Sequence, residues 1–339
     1  MNTAFGWRMP PIDEDDIRAR LRDAALVCES AGLDSFWLPD RLTAVDGYLK
    51  FLADADVVDP LIGLAYAAAL TTRIRLGSAV LVAPFRHPLA LVKAAASLQV
   101  LAGDRLILGL GSGWNRSELR ALGVDPRERG GRTDETLDIL RRAREGRPFE
   151  HHGRFFDFDR LGVQPPLRSS LRLWVAGGPS AQDAYRAVGG PLFSEPVLDR
   201  VSRADGWLAR PVTSPDQLKA GIGAIRTRRS AAGMEGLDFT VAQVNWCHFV
   251  DGTRDQALRE QEPMFARKLG PGTPMELARR LHWTGSLSDI RVRVEALVEA
   301  GVDHIVASPL SADPGQVELW VKGVIEPMGI TLDASGGVR

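Results

Sequence analysis

The sequence predicts an α/β chain folded as a (β/α)8 TIM barrel, a single domain over residues 1–339, with inserted loops at its C-terminal face. Three observations predict it. Apolar β-like runs alternate eight times with stretches of helical period along the 339 residues, as in a parallel sheet built from βα units. No break in composition divides the chain, so one closed barrel accounts for eight units more simply than two open sheets. Polar and glycine-rich residues gather where the strand runs end, and a closed parallel barrel opens all of those ends on one face.

In chain order, the first strand is expected over residues 3–9 and the first helix over 15–31, which ends at the C-cap glycine Gly32. Strand two (35–39) carries SFWLP, and AYAAAL lies in the helix expected at 61–70. Strand three (74–82) and the helix at 89–101 flank Arg86, His87 and Pro88. Strand four (105–110) precedes GSGWN and a helix at 133–144. Strands five (171–176) and six (206–209) are followed by a helix at 217–232, and strands seven (239–247) and eight (304–308) are separated by one at 290–300. SAGLDSFWLPD and EAGVDHIVASP share a helix end, a glycine, an aspartate and an apolar strand, as repeated units would. Residues 41–58, 145–170 and 262–286 are too long for simple turns and are expected to be binding loops, lids, short added elements or solvated decoration.

With 45% apolar residues, 25% charged residues and a net charge of -1, the chain reads as an ordinary globular protein without a nucleic-acid partner. No apolar run is long enough to span a bilayer, and MNTAFGWRMPPIDEDDI lacks the features of a signal peptide, so a cytoplasmic protein with no membrane partner is expected. Cys28 and Cys247 are expected to be buried fillers. His151, His152, His248, His282 and His304 have no metal-ligand spacing, and no metal site is expected.

The unusual residues sit at strand ends: Asp40 after FWLP, Ser78 within LGSAVL, GSGWN (111–115), GGPS (177–180) and ASP (307–309). GLGSGWN is not a dinucleotide fingerprint, because its spacing is GxGxG and the nearest acid, Asp134, falls in a helical pattern. Two readings stand. Either the alternate glycines bare the backbone to a flat ring, with Trp114 as a face and Asn115 as an amide, or they form a tight turn into a helix capped by Asn115 with Trp114 in the core. WVAGGPSAQDAYRAV is likewise either a phosphate site, with Ser180 as N-cap and the amides around Gly177, Gly178 and Ala181 facing outward, or an ordinary capped turn. There is no GxSxG elbow and no evident nucleophile, which points to a bound cofactor as the source of the chemistry. An aldolase would need a lysine at a strand end, and Lys50, Lys93, Lys219, Lys268 and Lys322 fall in loops or helical stretches.

RLILGLGSGWNRSELRALGVDPRERGGRTDETLDILRRA, RHPLALVKAAASLQVLAGDRL, WVAGGPSAQDAYRAV, ADGWL and LVEAGVDHIVASP together resemble the luciferase-like monooxygenase superfamily of flavin-dependent monooxygenases and deazaflavin (coenzyme F-420) dependent oxidoreductases. The resemblance implies a homodimeric barrel with the isoalloxazine ring at its C-terminal mouth. It implies that Ser78 and Ala79 lie at a strand-three bulge, where the family often has a non-prolyl cis peptide. Gly111, Ser112, Gly113, Trp114 and Asn115 would flank the ring and its ribityl chain. Gly177, Gly178, Ser180 and Ala181 would hold the phosphate, and Gly206 with Trp207 would close the site. His87 would move the proton, Asp40 and Arg41 would form a polar pair near the substrate, and Asn115 would orient by hydrogen bonding. GSGWN and GGPS look more like the deazaflavin-using members, although Arg41 stands where deazaflavin reductases often have histidine and Trp114 where some dehydrogenases have glutamate. The expected function is coenzyme F-420-dependent hydride transfer with a small organic substrate. The alternative is an FMN-dependent monooxygenase served by a separate flavin reductase. Phe51, Trp246, Phe249, Phe265 and Trp283 are candidates for an apolar substrate pocket.

Overall fold

Among the described residues, eight of ten strands close into a parallel barrel. These are β1 (Ala4–Arg8), β2 (Ser35–Leu38), β3 (Arg75–Val82), β4 (Leu106–Gly111), β7 (Arg172–Gly177), β8 (Gly206–Ala209), β9 (Thr240–Cys247) and β10 (His304–Pro309), in the order β1-β10-β9-β8-β7-β4-β3-β2. The computed structural model describes residues 3–11, 16–42, 56–179, 191–270 and 275–333. The expected (β/α)8 architecture and its eight barrel strands are present. Among the described residues no helix is long and apolar enough to cross a membrane, and Cys28 and Cys247 are both buried and unpaired.

Repeated aspartates set the register at the base of the barrel. Asp34 before β2 accepts the Phe5 N–H at 2.7 Å, Asp205 before β8 accepts Leu173 N–H at 2.8 Å, and Asp303 before β10 accepts Val241 N–H at 2.8 Å. Each carboxylate therefore satisfies a backbone donor at the start of a neighbouring strand that would otherwise be orphaned. Inside the barrel, Trp37 and Trp174 lie 5.2 Å apart between ring centroids, with His304 edge-on to both. Gly77 and Gly206 make room for them: a Cβ at Gly77 would lie 2.1 Å from the Trp37 ring, and one at Gly206 2.7 Å from Trp174. Ala79, Ile107, Leu208, Ala242, Val244 and Val306 complete this inner layer, and Val80 caps it half-buried.

The outer layer is helical: α1 (Ile17–Ser30), α2 (Pro60–Leu70), α3 (Pro88–Leu101), α4 (Arg116–Ala121), α5 (Arg129–Ala143), α6 (Glu195–Ser202), α7 (Pro215–Ala231), α8 (Arg254–Leu269), α9 (Met275–Leu281), α10 (Leu287–Glu299) and α11 (Gly315–Trp320). Capping boxes at Ser214, Thr253 and Ser286 start α7, α8 and α10. Two of the three long connections carry added elements, one of the readings expected for them. Residues 145–170 contain an antiparallel hairpin, β5 (Phe149–His152) and β6 (Asp157–Leu161). Its turn is held by Glu135 of α5, which accepts the N–H groups of Arg154, Phe155 and Phe156. Residues 262–286 are largely helical: α8 runs through Pro263 because Ala257, Gln261, Phe265 and Leu269 bury one face at four-residue spacing. Of the third, residues 43–55 lie outside the described residues.

Candidate active site

The floor of the mouth is made by a bulge in β3. Pairing with β4 shifts between Ser78 and Leu81, and the Ala79–Val80 peptide is cis. The bulge explains the alternate glycines of GLGSG. A Cβ at Gly109 would fall 2.1 Å from the Ser78 carbonyl oxygen, one at Gly111 2.6 Å from Val80 Cγ2, and one at Gly113 2.8 Å from Val82 Cγ1. The glycines thus clear space for the neighbouring strand and leave bare backbone beside it. Ser78 Oγ locks the junction, donating to Gly109 O and accepting from Gly109 N, both at 3.1 Å. Arg8 braces it from β1, its Nε donating to Ala79 O at 2.8 Å and its Nη1 to Ser308 Oγ at 2.9 Å.

At the end of β4, Ser112 is half-buried and Trp114 is 57% exposed, so Trp114 is not a core residue. Asn115 is the N-cap of α4, accepting Ser117 N–H at 2.9 Å. Of the expected Asp40 and Arg41, the first is tied into the scaffold. Asp40, its side chain only 3% exposed, accepts Val82 N–H at 2.9 Å and Arg86 Nη1 at 2.6 Å, while Arg86 Nη2 also reaches Asp59, the N-cap of α2. Its carboxylate therefore ties the ends of β2 and β3 to α2, and the sequence reading had missed Arg86 as its partner. His87 caps α3, its Nδ1 accepting Leu89 N–H at 3.3 Å, and packs edge-on against Phe156 of the hairpin loop. Its ring is at an exposed rim position.

Across the barrel, Gly177 faces Phe193, Val197 and Val201 of the outer layer. Gly178 adopts φ +129, and a Cβ there would lie 3.1 Å from Thr213 Oγ1. Among the described residues that buried hydroxyl oxygen has no hydrogen-bond partner. Beside it, Arg210 donates to Pro179 O at 3.3 Å and lies within the repulsive field of Arg129. Arg129 also lines a surface recess of about 550 Å³ with Arg116, Arg120, Asp125 and Arg127, the last two ion-paired at 2.6 Å. Ser180 and Ala181 lie outside the described residues. Trp207 is corrected: it is 0% exposed, packs on Phe193, and donates through Nε1 to Gly177 O at 3.1 Å. Strand alternation points Gly206 into the barrel and Trp207 into the helical layer.

A second positive corner went unread in the sequence. Lys268, expected in a loop, ends α8 with its ammonium 4.8 Å from the Trp246 ring centroid. Desolvation pushes it down to about 7, helped by the charges of Arg8 and Arg41. Desolvation likewise takes Arg8 down to about 10. The wall behind Lys268 is neutral: His282 stacks on Phe265 and Trp246, and burial, then Lys268 and Arg293, hold it at about 3. Asn245 Oδ1 accepts from His282 Nδ1 at 2.9 Å and from Trp246 N at 2.8 Å, which fixes that wall. Of the other candidate pocket residues, Phe249 and Trp283 are buried in the outer layer against Trp320, and Phe51 lies outside the described residues.

A family model described as luciferase-like monooxygenase matches residues 6–323. An uncharacterised protein of Mycobacterium tuberculosis, Rv0940c, is 30% identical over 62% of this chain and 71% of its own length. An F420-dependent glucose-6-phosphate dehydrogenase of Kineococcus radiotolerans is 26% identical over 85% of this chain and 86% of its own. Among solved structures, the oxygenating constituent of 3,6-diketocamphane monooxygenase from Pseudomonas putida, in complex with FMN, superposes with a TM-score of 0.71 at 17% identity, covering 96% of this chain and 98% of that one.

Proposed function

The chain belongs to the luciferase-like monooxygenase family, and from that premise we propose an oxidoreductase that uses the deazaflavin coenzyme F-420 to pass a hydride to or from a small organic substrate at the barrel mouth. The observation that carries it is the β3 bulge lying against the glycines of β4, a strip of nearly bare backbone at the mouth. The residues present fit a phosphorylated ring: the buried, unpartnered Thr213 Oγ1 beside Gly178 and Arg210 suits an anionic oxygen. Gly177 and Gly178, with Ser180 and Ala181, would hold the phosphate, and Gly111, Ser112, Gly113 and Trp114 would run along the ring and its chain. Ser78 and Ala79 would form the floor beneath it. When bound, the coenzyme supplies the hydride chemistry.

This chain's residues would bind, orient and exclude water. Asn115 orients by fixing the start of α4. His87 is our candidate proton carrier: with Nδ1 accepting the Leu89 N–H, its neutral ring carries the proton on Nε2. His87→Asn preserves an N-cap, so a tenfold or larger loss of turnover without loss of stability would be expected of that role, and full turnover would remove it. FMN shares the ring and the phosphate, and with it the reading becomes a monooxygenase fed by a separate flavin reductase. Titrating the purified protein with each cofactor, followed by ring fluorescence, tests the choice. Tighter binding of F-420 with oxygen-independent turnover is expected, whereas FMN preference with oxygen-dependent product formation would replace it. Cytoplasmic residence and a homodimer belong to the same proposal, and sedimentation velocity tests the second.

A further inference from the structure

We propose that Arg8 biases the bound coenzyme toward its reduced state: held against the floor of the mouth, its charge favours the extra negative charge that the ring carries after taking up a hydride. The inference deepens the function proposed above and rests on it for the presence of the ring.

Arg8 reaches the floor by alternation along β1. Gly6 faces the barrel interior, since a Cβ there would lie 2.2 Å from Ser35 Oγ and 2.9 Å from Trp37 Nε1. Two residues further on, Arg8 shares that face, and its register partner on β2 is Trp37 of the inner layer. The guanidinium spans the interior from β10 to β3. Its Nη1 donates to Ser308 Oγ at 2.9 Å and its Nε to Ala79 O at 2.8 Å, the carbonyl at the bulge itself. Both acceptors are neutral. Arg8 therefore acts through the floor as a positioning residue and brings a charge with it.

Nothing among the described residues offsets that charge. Arg8 forms no ion pair, and no carboxylate acts on it. The inner layer beside it is apolar, from Trp37 and Trp174 to Val244 and Val306, and the interior His304 is neutral. Asp40, the acid at the end of β2, is taken by Arg86. Lys268, whose titration senses Arg8, has the same sign. Burial takes Arg8 down to about 10, which leaves it protonated at neutral pH. The apolar layer below is a poor dielectric, so the field of this cation is directed into the mouth.

Hydride transfer supplies a charge for that field to act on. A C–H bond of the substrate breaks, both electrons leave with the hydrogen, and the ring gains one unit of negative charge unless a proton follows. A fixed cation placed where charge develops stabilises the reduced ring more than the oxidised one. Its signature is a lower Kd for the reduced form relative to the oxidised form.

The test uses the full chain and anaerobic calorimetry with F-420 and with FMN, each oxidised and reduced. For whichever coenzyme binds, the wild-type chain is expected to hold the reduced form about tenfold or more tighter. Arg8→Gln should lower that ratio about tenfold, equivalent to a fall of about 30 mV in the potential of the bound two-electron couple, and Arg8→Lys should keep most of it. A brace without an electrostatic role would weaken both forms alike and leave the ratio unmoved. An unchanged ratio in Arg8→Gln, or an equal loss in Arg8→Lys, would overturn the proposal. So would a wild-type chain that binds the oxidised form as tightly as the reduced one, a result that needs no variant to fold. Binding with an unmoved ratio sinks this inference alone, whereas no binding of either coenzyme in either state sinks the redox reading and this inference with it.

Discussion

Gly77 has no space for a side chain, because its missing Cβ would lie 2.1 Å from the ring of Trp37, itself wedged against Trp174. Gly77→Ala is therefore expected to cost about 1–3 kcal/mol by overpacking, measured by urea unfolding, and to cost less in a Trp37→Phe background; equal costs would show that the two do not meet. Two inner histidines make stability depend on pH. Burial holds His282 and His304 at about 3, with smaller contributions from Lys268 and Arg293 on the first and Arg75 on the second. The unfolded chain would protonate both near 6.5. Between about 6.5 and 3 it thus binds more protons than the folded chain, so their contribution is complete above 6.5 and falls away as pH drops. Each should add a slope of about 1.4 kcal/mol per pH unit in that window. Unfolding between about pH 5 and about pH 7.5 should lose one such slope in His304→Gln, and an unchanged slope would contradict the burial argument. The residues facing the barrel axis were hard to read from the chain, as Trp207 illustrates. Parallel barrel strands are buried on both faces, so GWLA carries no polar alternation to say which residue points inward.

At the scale of elements, the mouth is assembled by clamps that join strand ends. Asp40 gathers Val82 N–H and Arg86, and Arg86 reaches on to Asp59 at the start of α2. Asp40→Asn leaves a largely buried guanidinium without its main partner and is expected to cost about 3 kcal/mol. Unchanged stability in denaturant unfolding would show that the Asp40–Arg86 clamp does not hold the strand ends. The strand and helix sequence was legible because it depends on local periodicity. The hairpin was not, because its turn is organised by Glu135, about twenty residues away. The helices within residues 262–286 were not legible for a different reason: Pro263, Gly270 and Pro271 are turn signals, and the buried i, i+4 face of α8 overrides the first of them.

For the whole molecule, a net charge of -1 says nothing of how charge is distributed, and the fold brings cations distant in the chain to strand ends of one barrel. Arg8 comes from β1, Arg41 from beyond β2, Lys268 from α8, Arg129 from α5 and Arg210 from the end of β8. Proximity of residues so far apart in sequence is created by barrel closure, which is why the glycine motifs were readable and the cations were not. Cations in a low-dielectric cleft focus field lines and attract anions even where the total charge is near neutral. An anionic, phosphorylated coenzyme should therefore associate faster at low ionic strength than at about 0.5 M salt, where the screening length falls to a few ångströms. Stopped-flow quenching of ring fluorescence measures this directly. Arg210→Gln should reduce the salt dependence, while a surface substitution outside the mouth, such as Lys322→Gln, should leave it intact. If both variants kept the wild-type slope, the attraction would be a property of the ligand alone, and the barrel mouth would have no steering role.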